Sequence, residues 1–304
     1  MKNQKLAYTL AGFVILFWGT SATAFKIGLR YFNFLQLLFW ASLFATVILF
    51  FVLLVQGKLP EVFKITRKQL GWSIFLGLLN PFLYYFVLFK AYNLLPAQVA
   101  QPLNYIWPIV LVLLAVPILG QKLKPRNIIA LFISFTGVVF ISSQGSISIF
   151  SKSDPVGVML AISSSIVWAL FWLFNVRNGV KDEVIKLFLN FCFATTFTLF
   201  VGIFTKDFWN IPANGLFASA YIGAFEMGIT FVLWLKALNN AENTAKLGNV
   251  IYLVPFVALI FIKLVLGETV YWTTIVGLFL IIGGIVYQQI GSKARARIEM
   301  YGRS

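Results

Sequence analysis

Leu88-Phe89-Lys90-Ala91 in the first half of the chain returns as Trp234-Leu235-Lys236-Ala237 in the second half. Working outward from this match, an offset of 146 to 147 residues aligns further pairs: Gly77 with Gly223, Asn80 with Glu226, Tyr105 with Tyr252, Pro108 with Pro255, Leu119-Gly120-Gln121 with Leu266-Gly267-Glu268, and Gly137 with Gly284. In a membrane protein, a repeat of this length is typical of two halves that enclose a site and rock around it. The pattern therefore predicts a transporter-like architecture.

Apolar residues dominate the composition of the chain. Of its 304 residues, 60% are hydrophobic and 11% are charged, and the mean hydropathy is +0.90. Apolar stretches of about 20 residues recur, and each can cross a hydrocarbon core of about 30 Å. Because these runs are continuous rather than alternating, they predict helices. We expect an all-α membrane protein with ten transmembrane helices: Leu6–Gly28, Phe34–Val55, Leu70–Ala91, Ala97–Leu119, Ile128–Ser143, Val156–Asn175, Val184–Phe204, Leu216–Leu235, Ala245–Leu266 and Val270–Ile290.

Basic residues are distributed unevenly between the two sides of this predicted bundle. With the N-terminus inside, 18 of the 24 lysine and arginine residues fall in cytoplasmic loops or tails, which the positive-inside rule favours. We therefore expect an integral protein of the bacterial inner membrane with both termini in the cytoplasm. Since these loops explain the net charge of +15, we expect lipid and a small molecule, not nucleic acid, as partners.

The number of helices determines how the two halves relate to each other. Each half contributes five crossings, which is an odd number, so the second half enters the membrane from the opposite face. We therefore expect two inverted five-helix repeats, residues 1–146 and residues 147–304. Both a monomer and a homodimer are compatible with this arrangement.

The start of the chain has two interpretations. Lys2 and Lys5 before an apolar run, followed by Ala22-Thr23-Ala24, resemble a signal peptide with its cleavage site. The match of this segment to the sixth segment favours a retained helix instead. Gly19 and Thr23 then have the small-xxx-small spacing of a close helix contact.

Several kinds of chemistry are excluded by what the sequence lacks. It contains no histidine and a single cysteine, Cys192, which excludes a histidine-based zinc site, triad or haem pocket and an internal disulfide. It contains no Walker motif, which excludes ATP hydrolysis as the energy source. We expect no cofactor, and transport that is either downhill or driven by a gradient, with the proton as the candidate coupling ion.

One of the nine acidic residues stands in the middle of an apolar segment. A charge at the depth of Glu226 costs about 2.5–3.5 kcal/mol on insertion scales. Thr230 follows at i+4, and the repeat partner of Glu226 is Asn80, with Tyr84 at i+4. Because intramembrane ionisable groups are functional by default, we expect Glu226 to bind a substrate or a proton. The alternative is a neutral carboxyl group that hydrogen-bonds a neighbouring helix.

The fourth segment carries polar side chains at helical spacing. Gln101, Asn104, Tyr105 and Pro108 occupy positions i, i+3, i+4 and i+7, which lie on one face of a helix. The ninth segment repeats this pattern more weakly, with Asn249 and Tyr252. Matched polar stripes favour the lining of a cavity between the halves. The alternative is that they only hold helices together.

Three tryptophans occupy positions that differ from the usual interfacial ones. Most membrane tryptophans are anchors at the interface, but Trp18 aligns with Trp168 near mid-segment, and Trp172 follows Trp168 by one turn. Aromatic rings at this depth can stack on flat substrates or attract cations. Plain packing is the alternative.

Several of these residues resemble the signatures of one family. Phe17-Trp18-Gly19-Thr20 resembles the first-helix signature of the drug/metabolite transporter superfamily, EamA type, and Val167-Trp168-Ala169-Leu170 resembles its counterpart in the second repeat. The Leu-x-Pro core with a terminal Gly-Glu appears as Leu253-Val254-Pro255 and Gly267-Glu268. Asn104-Tyr105-Ile106-Trp107-Pro108, with Gly120-Gln121-Lys122, is similar to the aromatic amino acid exporter branch.

The resemblance implies ten helices in two inverted repeats around a central substrate cavity. It implies that the first, third, fourth, sixth, eighth and ninth helices line this cavity. Together with the polar and aromatic patterns above, it leads to one set of residues expected to bind substrate: Trp18, Asn80, Tyr84, Gln101, Asn104, Tyr105, Trp168, Trp172, Glu226, Thr230, Asn249 and Tyr252.

The sequence therefore predicts a secondary transporter, not an enzyme, that exports small amphipathic metabolites by alternating access, with amino acids first among them. In this hypothesis Glu226 binds the substrate ammonium group or a coupling proton, and Trp18 and Trp168 wall the site. The alternative is a proton-coupled exporter of organic cations or drugs that uses Glu226 as counter-charge. A membrane enzyme would need a nucleophile and a base, and the absence of histidine and of paired buried acids argues against one. A non-transporting scaffold would have a dry, filled centre.

Overall fold

Helices account for every regular element in the part of the chain that the structure describes. This computed structural model describes residues 3–120, 125–146, 153–175, 179–205, 208–242, 247 and 250–301, with side chains up to residue 288. Its apolar helices are α1 (Gln4–Gly28), α2 (Phe34–Val55), α3 (Arg67–Leu94), α4 (Ala97–Leu119), α5 (Pro125–Ser142), α6 (Pro155–Asn175), α7 (Glu183–Gly202), α8 (Ala213–Asn240), α9 (Ile251–Leu266) and α10 (Trp272–Tyr301). The predicted all-α membrane class is confirmed.

The helices agree with the predicted segments in number and position. Among the described residues, α1 to α8 are long and apolar enough to cross a membrane, while the apolar parts of α9 and α10, Ile251–Leu266 and Trp272–Gln288, are shorter. Most of the difference lies at the ends, because α3 and α8 extend several residues beyond the predicted bounds on both sides. The first residues of the predicted ninth segment, apart from Leu247, lie outside the described ranges.

Local sequence signals begin and end several of these helices. Asn33 and Thr66 form capping boxes at the starts of α2 and α3, and Asp182 caps α7 by accepting from the main-chain N–H groups of its second and third residues. Gly120 and Gly267, which are repeat partners, follow α4 and α9 in the left-handed conformation, with φ values of +67° and +68°. Glycine adopts this conformation without the strain that a Cβ would cause.

Asp182 also joins two loops through an ion pair with Lys58. Burial disfavours the charged form of Asp182. Hydrogen bonds from Lys58 and from the backbone of the first turn of α7 outweigh that effect, so the pKa of Asp182 lies below its usual range. The carboxylate is therefore the stable form over the physiological pH range.

Prolines interrupt α4, as Pro102 and Pro108 of the fourth segment predict. The first part ends at Asn104 and the second begins at Trp107. Pro108 has no N–H group, so it cannot bond to the Asn104 carbonyl four residues before it. The expected disruption of backbone pairing by the prolines is therefore located at Tyr105 and Ile106.

α3 and α8 depart from regular α-helix at corresponding points. Gly223–Gly228 in α8 is a π-helix, whereas Leu78–Leu83 in α3 is kinked at Asn80, whose φ of −148° and ψ of 123° are not helical. Gly77 and Gly223, which are repeat partners, bring these segments against the backbones of other helices. A Cβ at Gly77 would lie 2.6 Å from the carbonyl oxygen of Asn190 in α7, and one at Gly223 would lie 2.6 Å from that of Ala41 in α2. Glycine therefore permits backbone-to-backbone packing at both sites.

The contacts between helices follow one pattern in the two halves. α1 packs against α8 and α9, and α6 packs against α3 and α4. α2 packs against α8, and α7 packs against α3, while α2 pairs with α7 and α5 pairs with α10. Exchanging each helix with its counterpart in the other half reproduces these contacts. The largest cluster of buried side chains draws on all ten helices, so the core lies between the two halves.

Glycines also set the distance between α5 and α10. A Cβ at Gly277 would lie 2.5 Å from the carbonyl oxygen of Gly137, and one at Gly137 would lie 2.6 Å from that of Gly277. Gly284 packs in the same crossing, where its Cβ would lie 2.9 Å from the carbonyl oxygen of Ala130. The two helices are therefore in backbone contact over about two turns.

Candidate functional site

The side chain of Glu226 lies inside the bundle, between α1 and α3. Ser21 of α1 donates a hydrogen bond to Glu226 Oε2 (2.5 Å), and Tyr85 of α3 donates one to Glu226 Oε1 (2.9 Å). Trp18 Nε1 donates to the main-chain carbonyl of the same glutamate (3.2 Å). Both carboxyl oxygens therefore face hydroxyl groups rather than lipid, as expected of an ionisable group within a membrane.

Ser21 can pair with Glu226 in either protonation state of the carboxyl group. Its hydroxyl oxygen also lies 3.1 Å from the carbonyl oxygen of Phe17. A hydroxyl has one proton to donate, so Ser21 donates to Glu226 when the carboxyl group is ionised. When Ser21 donates to Phe17 instead, its oxygen can accept the proton of a neutral Glu226. The contacts therefore accommodate both forms without leaving a polar atom unpaired.

The π-helix changes the polar stripe that was predicted on α8. Thr230 was expected to share a face with Glu226 because it follows at i+4. It is fully buried, and its hydroxyl donates to the carbonyl oxygen of Phe225 (2.5 Å), five residues earlier. In a π-helix the i+5 residue replaces i+4 as the near neighbour. The Thr230 hydroxyl therefore pairs with the backbone of the π-helix, one turn from the Glu226 carboxyl group.

Asn104 joins α3, α4 and α6 through its side-chain amide. Tyr84 of α3 donates to Asn104 Oδ1 (3.2 Å), and Asn104 Nδ2 donates to Ser164 Oγ of α6 (2.8 Å). Asn104 and Tyr84 are both buried. The structure therefore brings together two predicted site residues and adds Ser164 to them.

The other members of the predicted stripe on α4 have different neighbours. Gln101 accepts a hydrogen bond from Tyr92 at the end of α3. Tyr105 packs in a separate buried cluster with Ala7 of α1, Trp234 of α8 and other residues. Because α4 is interrupted at Tyr105, the four stripe positions do not continue along one straight face. The stripe is therefore continuous only up to the interruption, and Pro108 lies beyond it.

Aromatic rings from five helices meet beside Asn104 and connect the two halves. We call Trp18, Tyr84, Trp107, Trp168, Trp172 and Phe231 the aromatic cluster. The Trp168 ring lies 4.7 Å from Tyr84, 5.9 Å from Trp172, 6.0 Å from Phe231 and 6.5 Å from Trp107, between ring centroids. Phe231 also lies 5.7 Å from Trp18. Phe231, which is 3% exposed, thus bridges the two tryptophans that were predicted to wall the site.

Two predicted site residues have buried polar atoms without a hydrogen-bond partner among the described residues. They are Asn80 Oδ1 and Trp172 Nε1. A buried polar atom without a partner costs about 1–3 kcal/mol, so such atoms commonly face water or a ligand. Tyr252 is buried near the start of α9, and Asn249 lies outside the described residues.

Sequence reasoning missed Ser21, Tyr85 and Phe231. Tyr85 is the residue after Tyr84, and it aligns with Phe231 at the same offset that aligns Asn80 with Glu226. That alignment was a usable signal for both residues. Ser21 had none, because small residues on a membrane helix are usually packing residues.

The chain is similar to transporters along most of its length. The model of the EamA-like transporter family matches residues 5–143 and 155–287. A protein from Bacillus subtilis (strain 168), named Uncharacterized transporter YvbV, is 26% identical over 293 residues, which cover 94% of this chain and 92% of that protein. A protein from Ancylobacter novellus, named Aromatic amino acid exporter YddG, is 25% identical over 189 residues, which cover 60% of this chain and 64% of that protein.

A solved crystal structure has a similar fold. The two chains superpose with a TM-score of 0.65, and the match covers 96% of this chain and 99% of the other. The sequence identity is 19%, so the likeness concerns the arrangement of helices alone.

Proposed function

Because the chain belongs to the EamA-like transporter family, we propose that this integral membrane protein exports small amphipathic metabolites across the bacterial inner membrane by alternating access. Amino acids are the leading substrates in this proposal, and both termini lie in the cytoplasm. The distribution of basic residues between the loops supports the orientation.

The proposal treats residues 1–146 and 147–304 as two inverted repeats. Three structural features support it: the irregular segments at corresponding positions of α3 and α8, the left-handed glycines after α4 and α9, and helix contacts that are reproduced when the halves are exchanged. In transporters built this way, the substrate site lies between the repeats near the middle of the bilayer.

The position of the Glu226 carboxyl group is the observation that carries the proposed site. It is held by hydroxyl groups from α1 and α3, next to an aromatic cluster that joins both halves. A carboxylate can bind a substrate ammonium group or carry a coupling proton, and the ring faces attract cations and stack on flat groups. Among the described residues, Trp172 Nε1 has no hydrogen-bond partner. It can therefore donate to a substrate carboxylate.

Two considerations favour amino acids, and aromatic ones first. The relative from Ancylobacter novellus is named as an exporter of that class. A zwitterion needs both an anionic and a donor group, and Glu226 together with Trp172 supplies this pair. Asn104 and Tyr84 add hydrogen-bonding groups at the edge of the aromatic cluster.

Flux measurements on purified protein in proteoliposomes test the proposal. The parent is compared with Glu226→Gln, which keeps the size of the side chain but removes its charge and replaces one accepting oxygen by a donating amide group. Glu61→Gln is the matched control, because Glu61 is exposed on the short helix Leu59–Val62. We expect Glu226→Gln to lose amino acid flux about tenfold or more, since hydrogen bonds to charged groups contribute about 1.5–3 kcal/mol.

The pH profile is the second readout of this experiment. The flux of the parent should vary with pH, and that of Glu226→Gln should be flat. An unchanged rate together with an unchanged pH profile in folded Glu226→Gln would remove Glu226 from the mechanism.

A second candidate substrate class is organic cations, and the distribution of charge supports it. The described basic residues on the helices around the site lie near helix ends, away from the aromatic cluster: Lys5, Lys26, Arg67, Lys68, Lys90, Lys236 and Lys263. Among the described residues, Glu226 is then the one formally charged side chain at the depth of the aromatic cluster. Inhibition of amino acid flux by a quaternary ammonium compound, with Trp172→Phe active, would favour this class over zwitterions.

A further inference from the structure

A second polar cluster joins the two halves at the end of the bundle where α4 begins. Glu268, in the connection between α9 and α10, accepts hydrogen bonds from the main-chain N–H groups of Ala97 (2.9 Å) and Gln98 (3.1 Å). These are the first two residues of α4. The first N–H groups of a helix have no partner within the helix and carry partial positive charge, so a carboxylate is a strong partner for them.

The side chain of Gln98 in α4 also forms hydrogen bonds with the second half. Its side-chain oxygen accepts from the main-chain N–H of Tyr271 (3.2 Å) and from the hydroxyl of Thr274 (3.2 Å). Its amide nitrogen donates to the carbonyl oxygen of Thr269. The amide is therefore bonded on both sides, and its side chain is 2% exposed.

Lys26 holds the adjacent end of α3 in the same region. Its ammonium group donates to the carbonyl oxygens of Tyr92 (2.9 Å) and Leu95 (3.1 Å). Carbonyl groups at a helix C-terminus favour a cation. The turn between α3 and α4 is thus bound on one side by α1 and on the other by the α9–α10 connection.

We propose that Glu268 is a positioning residue for transport. It holds the first turn of α4, and with it Gln101 and Asn104, against the second half, and it closes this end of the bundle in the conformation described here. Alternating access requires each end to open in turn, so the hydrogen bonds from Ala97 and Gln98 must be released once per cycle. This inference rests on the proposed transport function but concerns a separate set of residues.

Thiol labelling tests the closure without needing a substrate. In a Cys192→Ser background, Ala100→Cys places a thiol at a fully buried position one turn inside α4. In detergent-solubilised protein, where both ends of the bundle are accessible, its rate of reaction with a hydrophilic thiol reagent is compared with and without Glu268→Ala. Glu61→Ala is the matched control, and Ala7→Cys, buried at the opposite end of the bundle, reports general loosening.

The expected result is faster labelling at position 100 in Glu268→Ala, by about tenfold or more, because hydrogen bonds to a charged acceptor are lost. Labelling at position 7 and in the Glu61→Ala control should not change. Glu268→Gln should fall between the parent and Glu268→Ala, because its amide oxygen still accepts. Unchanged labelling at position 100, or an equal rise at positions 7 and 100, would overturn the proposal.

The outcomes separate this inference from the proposed function. A parent protein that fails to transport amino acids but shows the Glu268 effect on labelling contradicts the substrate assignment alone. A parent that transports amino acids without any Glu268 effect contradicts the positioning role alone.

Discussion

Replacing Gly277 by alanine should destabilise the protein by forcing α5 and α10 apart. The added Cβ would lie 2.5 Å from the carbonyl oxygen of Gly137, 2.6 Å from Ile141 Cγ1 and 3.1 Å from Ile141 N. Two of these three atoms belong to the backbone, so a change of side-chain rotamer cannot remove the clash. The helices themselves must separate.

The loss of stability in Gly277→Ala can be estimated, and Gly283 of the same helix provides a control. Overpacking typically costs about 1–3 kcal/mol, and a backbone obstacle places Gly277→Ala in the upper part of that range. Alanine recovers at most about 1 kcal/mol of helix propensity over glycine, so we expect a net loss of about 1–2 kcal/mol. Gly283 is exposed, with no atom within 4 Å of its Cβ position, so Gly283→Ala should be neutral or slightly stabilising.

Unfolding in mixed micelles, followed by titration with a denaturing detergent, measures both free energies on the same scale. The reasoning requires Gly277→Ala to unfold at a lower detergent fraction than the parent, and Gly283→Ala at the same or a higher fraction. Equal midpoints for the two variants would refute the argument that α5 and α10 are in backbone contact.

Two further predictions concern a loop and the aromatic cluster. Because the pKa of Asp182 is depressed in the folded protein, its charge contributes stability above its ordinary value of about 4 and loses it as the pH falls through the folded value. Asp182→Asn, which keeps the helix cap, should therefore lower the apparent melting temperature slightly at neutral pH, and by less as the pH falls below about 4. Phe231→Ala should raise the flux of tryptophan relative to leucine about tenfold by opening space between Trp18 and Trp168. Phe231→Tyr should leave the ratio unchanged, and an unchanged ratio in Phe231→Ala would contradict a role in substrate size.

The helices were predictable because a membrane demands length and continuous apolarity from each crossing. Their ends were less predictable, because long basic side chains such as Lys90 and Lys236 extend toward polar surroundings and let a helix continue past its apolar stretch. The interruption of α4 could be expected from Pro108, which lacks an N–H group. The π-helix in α8 carried no comparable signal, since Gly223 and Gly228 are also ordinary residues of closely packed helices.

The candidate site was predictable only as far as single residues allow. Glu226 stood out because its position is costly for a charge. Its partners Ser21 and Tyr85 come from α1 and α3, and a sequence read in order does not state which helices become neighbours. The spacing rule failed at Thr230 because it assumes 3.6 residues per turn, whereas the π-helix between it and Glu226 contains an additional residue. Phe231 was missed for the same reason, although the repeat aligned it with Tyr85.

The kink in α3 and the π-helix in α8 have a mechanical consequence. Bending a regular helix in lipid leaves main-chain carbonyl groups without hydrogen-bond partners. Each such group costs several kcal/mol in the bilayer core. At Gly223–Gly228, the Thr230 hydroxyl already pairs with the displaced carbonyl of Phe225, and at Leu78–Leu83 Pro81 has no N–H group to lose. Each half therefore contains a flexure whose hydrogen bonding tolerates a change of angle, adjacent to Asn80 in one half and Glu226 in the other.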